Sequence, residues 1–101
     1  MTFPVDEAAR RELLEAADWY DSRQSGLGEE FLVAVEFAFQ ECLDHPFQCS
    51  RMELYRGLRD VRRVTVRRFP YSVIFRLLGP ELRVIAIAHS SRRPLYWVDR
   101  L

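Results

Sequence analysis

The chain has 101 residues, of which 49% are hydrophobic and 30% charged, with seven Phe, four Tyr and two Trp. That is one domain with aromatic side chains enough for a real core. No apolar run reaches the roughly 20 residues of a membrane span. The start, Met1-Thr2-Phe3-Pro4-Val5-Asp6, lacks the basic and then apolar segments of a secretory signal, so a cytoplasmic location is expected.

The formal net charge is zero, but it is divided. Residues 1–50 carry eleven acids against three arginines, a balance of −8, and residues 51–101 carry twelve arginines against four acids, a balance of +8. Every base is Arg, a planar and permanently charged fork suited to phosphate and carboxylate. Such a basic half implies an anionic partner, either nucleic acid or an acidic protein segment. Cys42 and Cys49 are expected as reduced thiols, with one short-loop disulfide as the alternative. With His45 and His89 as the sole histidines, no metal-ligand spacing arises, and no glycine-rich phosphate loop is present. No cofactor and no metal are expected.

Pro4 confines any strand over residues 2–5 to a sheet edge. Asp6 reads as the N-cap of a helix running to about Gln24, with Ala9, Leu13, Ala16, Ala17 and Tyr20 as its buried stripe. Ser25 to Gly28 reads as the helix stop and tight turn. A second helix from Glu29 to about Asp44 has Leu32, Val35, Phe39, Cys42 and Leu43 as its apolar stripe, widened by Phe31 and Ala38, and His45-Pro46 ends it. So short a connection predicts an antiparallel helix hairpin. Residues 47–58 show no period and read as loop. The period then changes to two. Residues 61–68, 71–78 and 82–89 read as three strands of an antiparallel meander, the last apolar on both faces and so central or covered on both sides. The fold class is α+β: a helix hairpin packed on a three- to four-stranded antiparallel sheet, one domain over 1–101.

Three patterns then stand in order along the chain. The first runs from Glu12 to Trp19-Tyr20 and resumes at Gly26-Leu27-Gly28, continuing to Leu32. The second is Arg67-Arg68-Phe69-Pro70-Tyr71 leading into a strand. The third runs from Val84 through His89-Ser90-Ser91-Arg92-Arg93 to Pro94, ending in Tyr96-Trp97. Together they resemble the RelE/ParE superfamily of toxin–antitoxin toxins, in its plasmid-stabilisation, ParE-like branch. The resemblance implies a small cytoplasmic toxin neutralised by a cognate antitoxin. RelE-type members cleave mRNA, commonly in the ribosome; ParE-type members poison DNA gyrase without being nucleases. The RelE-type pattern needs two basic residues two apart on the second strand, one after the Tyr that opens the third, and an Arg and a Tyr near the C-terminus. Aligned through Asp60 and Tyr71, these strand positions fall on Arg63, Thr65 and Ser72, so two of the three cations are missing.

The resemblance therefore implies growth inhibition by contact with DNA gyrase. The alternatives are a metal-independent endoribonuclease using Arg63, His89, Arg92 or Arg93, and Tyr96, or a member that has lost its toxic target. Residues expected to meet antitoxin or target are Arg63, Arg67, Arg92, Arg93, Tyr96 and Trp97. Each has a plainer reading: Arg63 and Arg67 as a solvated strand face, opposite the face of Arg62 and Arg68; His89 as a hydrogen-bonding strand end; Tyr96 and Trp97 as packing. Trp19 and Tyr20 read as core, Asp18 or Asp21 as an ion-pair partner for Arg23, and the acidic helical side as inert or solvating.

Overall fold

In the computed structural model, which describes residues 4–101, Asp6 caps the first helix as its position implies. Its carboxylate accepts the Ala8 N–H at 2.9 Å, at the start of α1 (Glu7–Arg23). This satisfies one of the amide donors left open at a helix start. Ala9, Ala16 and Ala17 are buried, with Leu13 and Tyr20 packed at the margin of the same core.

Asp21 does not pair with Arg23. One carboxylate oxygen instead accepts the backbone N–H groups of Gly26, at 3.1 Å, and Gly28, at 3.0 Å, and so closes the hairpin. Gly26 takes the left-handed conformation at φ 88°, which favours glycine. Gly28 lies inside α2 (Leu27–Asp44), not in the turn. Its role is close approach, since a Cβ there would collide with the Ala17 carbonyl. Gly28→Ala is expected to cost about 2 kcal/mol, the scale of an overpacked contact, measurable by urea denaturation.

The buried stripe of α2 is Gly28, Phe31, Val35, Ala38 and Cys42. Leu32, Phe39 and Leu43, read from the sequence as part of that stripe, sit on its shoulder instead. Gly28 lets the helices approach closely, and Phe31 and Val35 fill the core beneath. Residues 47–58 are not all loop. A short 3-10 turn, Pro46–Gln48, leads into a two-residue edge strand, β1 (Ser50–Arg51), too short to show a period of its own.

The sheet continues with β2 (Asp60–Thr65), β3 (Tyr71–Leu78) and β4 (Glu81–His89), ordered β1-β2-β3-β4 and antiparallel throughout. β2 is shorter than its alternation suggests because the chain turns through Arg68 at φ 72°. β4 is at the edge of this meander rather than central, yet it is covered. Pro4 and Asp6 bond to both sides of Val84, at 3.0 and 2.8 Å, and Val5 forms a parallel bridge to it. Thr2 and Phe3 of the expected edge strand lie outside the described residues. An irregularity between Ile74 and Phe75 pairs them with Ala86 and Val84, leaving Ile85 as an extra residue. β4 is apolar on both faces because both are covered, one by the helices and the other by Trp97, and the bulge places Ile85 and Ala86 together on the outer face.

Two cores result. Val64, Val73, Phe75, Val84 and Ile87 pack under the helices, while Val61, Ile74, Ile85 and Ala86 lie on the outer sheet face beneath Trp97. Both cysteines are free and buried. Burial, with smaller contributions from Cys49 and Glu41, lifts the Cys42 thiol to about 12, and burial raises Cys49 as well. Neither thiol should alkylate in the native protein at pH 8, whereas both should react in the unfolded chain; mass spectrometry after iodoacetamide checks this.

Candidate functional site

The candidate site is built where α1 meets the end of β4 and the tail. Its hub is Glu12, one α-turn from Ala9 and Ala16 on the α1 flank. Tyr96 donates its hydroxyl to this carboxylate at 2.6 Å. Arg100 forks onto both oxygens at 2.9 and 3.0 Å, and the Ile87 N–H donates to it at 3.0 Å. Arg100 also donates to the Ile85 carbonyl at 3.0 Å. One largely buried carboxylate thus joins α1, β4 and the tail by charge-assisted bonds.

Beside this hub lies a cleft of about 380 Å³ lined by Trp19, Tyr20, Tyr71, His89, Ser91 and Arg92, with Glu12 and Glu15 on its helical side. Tyr20 packs against Phe31, Phe69 and Tyr71, as core. Trp19 does not. It is 52% exposed, and the Arg23 guanidinium stacks over it at 4.6 Å. Trp19 turns about 100° away from Tyr20 around the helix, toward the cleft.

The nuclease candidates are divided. Arg63 is exposed and pairs across to Ile74, whose side chain belongs to the outer-face core. His89 pairs with Tyr71 on the helix-facing side. Arg63 and His89 are therefore on opposite faces of the sheet. The Ser91 N–H donates to His89 Nδ1 at 3.0 Å, which places the proton of the neutral ring on Nε2. In that form the free edge of the ring is a donor, not a base. Burial, reinforced by the bond to Glu12, raises the Tyr96 hydroxyl far above the ordinary tyrosine value, so it is a neutral donor at physiological pH. Arg92 stacks on the Tyr96 ring at 3.8 Å, and Arg93 is exposed beside it. Trp97, expected as a contact residue, is 2% exposed and forms the outer-face core.

The basic half is partly neutralised. Arg68 pairs with Glu30 at 3.0 Å, Arg83 with Asp6 at 3.6 Å and Arg100 with Glu12 at 2.9 Å, all across the boundary between the two halves. Arg62 is buried and held by Asp60 and the Phe47 and Cys49 carbonyls, as its inward face implies. Among the described residues Arg56, Arg59, Arg63, Arg67, Arg92 and Arg93 have no acidic partner. No group of three or more His, Cys, Asp or Glu among them is placed to hold a metal ion, and no helix is long and apolar enough to cross a membrane.

Residues 5–94 match the family model for the ParE toxin of type II toxin–antitoxin systems, parDE. The chain belongs to the ParE toxin family. It is similar in fold to a chain of the chromosomal ParDE toxin–antitoxin system from P. aeruginosa, at 21% identity and a TM-score of 0.74, covering 88% of this chain and 95% of that one. No curated protein sequence matches it. The α+β hairpin-on-sheet architecture is thus a ParE-type fold. The Glu12 hub and the exposed Trp19, neither expected from local pattern as site features, complete the cleft of this ParE-family chain.

Proposed function

We propose that this ParE-family chain is the toxin of a type II pair that inhibits growth by protein–protein contact with DNA gyrase in the cytoplasm, and that a cognate antitoxin neutralises it. The observation that carries this reading is the separation of the nuclease candidates. Metal-independent RNA cleavage needs a base, a cation and an acid around one phosphate. Here Arg63 is across the sheet from His89, the Tyr96 hydroxyl is committed to Glu12, and Arg92, the cation left beside His89 in the cleft, is stacked on the Tyr96 ring. The exposed pair Arg92 and Arg93, with Arg67 and Arg63 as further cations, serves binding instead. An acidic antitoxin segment is drawn to these arginines, and covering Arg92 and Arg93 occludes the cleft mouth.

The test is to purify the chain and assay gyrase supercoiling and ribosome-bound message in parallel. Supercoiling should be lost while RNA stays intact, and Tyr96→Phe should keep that inhibition. Message cleavage abolished by His89→Ala or Tyr96→Phe would overturn the reading in favour of an endoribonuclease. Absence of both effects would mark a member without a toxic target. The double variant Arg92→Glu/Arg93→Glu is expected to weaken binding of the antitoxin encoded beside this chain about a hundredfold, more at low salt than at high salt, by titration calorimetry.

A further inference from the structure

We propose that the outward face of α2 is a second interaction surface, a docking site for a cationic amphipathic helix of a partner protein. Phe37 is 68% exposed and Val33, one helical turn before it, 47%. Leu32 continues this surface into a groove of about 360 Å³ between the helices, lined by Leu13, Phe39 and Leu43 with Glu36 and Gln40. An exposed Phe next to an apolar groove forgoes burial that the fold does not supply, which is the mark of a surface completed by something else.

Charge identifies the occupant. α2 carries five acids and no base. Glu29, Glu30 and Glu36 stand three or four positions from Val33, and Glu41 stands four from Phe37, so they rim the apolar stripe. Glu30 is engaged by Arg68 at 3.0 Å, whereas Glu29, Glu36 and Glu41 have no ion pair among the described residues. Two copies of this face would oppose like charges, which disfavours symmetric self-docking. The basic part of the chain is strand and turn, with one three-residue 3-10 turn at Val98–Arg100, and presents no α-helix. An apolar ridge flanked by Arg or Lys on a helix complements both the stripe and its rim. The helical side of the molecule is thus not merely solvating.

The test titrates the isotope-labelled chain with a synthetic helix as long as α2, with Leu along one face and Arg elsewhere. A control peptide carries Glu in place of Arg. Saturable shifts should map to α2 and Leu13. Phe37→Ser, a change at an exposed site, should weaken binding at least about tenfold, and Glu36→Gln with Glu41→Gln about tenfold. The Glu peptide should not saturate. Shifts centred elsewhere, affinity unchanged in these variants, equal binding of both peptides, or concentration-dependent self-association abolished by Phe37→Ser would overturn the proposal. None of these readouts depends on gyrase or on the antitoxin, so they stand apart from the test of toxic function.

Discussion

Glu12→Ala is expected to destabilise the protein by about 3 kcal/mol, because it strands a partly buried guanidinium and a phenol together with a strand N–H. Arg100 and Glu12 are 21% and 16% exposed as side chains, so solvent screens the pair little. For a domain of this size the loss corresponds to a fall in Tm of roughly 12–24 °C. A double-mutant cycle with Arg100→Met should show strong coupling, since each partner alone leaves the other uncompensated. The same network sets the alkaline limit of the fold. The folded Tyr96 pKa lies above its unfolded value of 10.0, raised first by burial and then by the bond to Glu12. The unfolded chain therefore loses this proton first. The contribution is fully present below about pH 10 and is lost as pH rises through the folded value. Tyr96→Phe should flatten the alkaline limb of the stability curve, leaving the slope due to Tyr20 and Tyr71, which burial also raises.

Trp97→Ala is expected to cost about 4 kcal/mol, the scale of a large aromatic removed from a core. Trp97 covers Val61, Ile74, Ile85 and Ala86, with the Tyr55 ring at 6.2 Å. Without it the outer sheet face opens to water and the tail loses its anchor. Denaturant unfolding followed by circular dichroism measures the loss. The consequence for function is practical. A Trp97 variant that abolishes toxicity reports on folding, whereas exposed Arg93 reports on contact. Trp97→Phe, which keeps an aromatic fill, should recover much of the stability and with it the activity.

Local chemistry was sufficient for much of this molecule. The Asp6 cap, the hairpin, the Tyr71 start of β3 and the inward face of Arg62 all follow from caps and periods, because those signals act over one or two turns or a single pleat. The charge division was equally legible, since it needs no fold at all. Composition alone could not say how much of it cancels. Three ion pairs now cross the two halves and leave a smaller basic surface at the tail and turns.

What only the tertiary structure decided depends on residues far apart in the chain. Glu12 reads as one more solvated acid until the tail brings Tyr96 and Arg100 to it, 84 and 88 positions away. Trp19 and Trp97 exchange their expected places, one facing the cleft and one the core, because each orientation is set by the element packed against it. The two apolar faces of β4 are covered by the helices and by Trp97, with a bulge at Ile85, and its edge is closed by Pro4 to Asp6. Periodicity reports which side of an element is apolar. Which partner meets that side, and at what register, is settled by long-range packing, and the cleft of this ParE-family chain lies at such a junction.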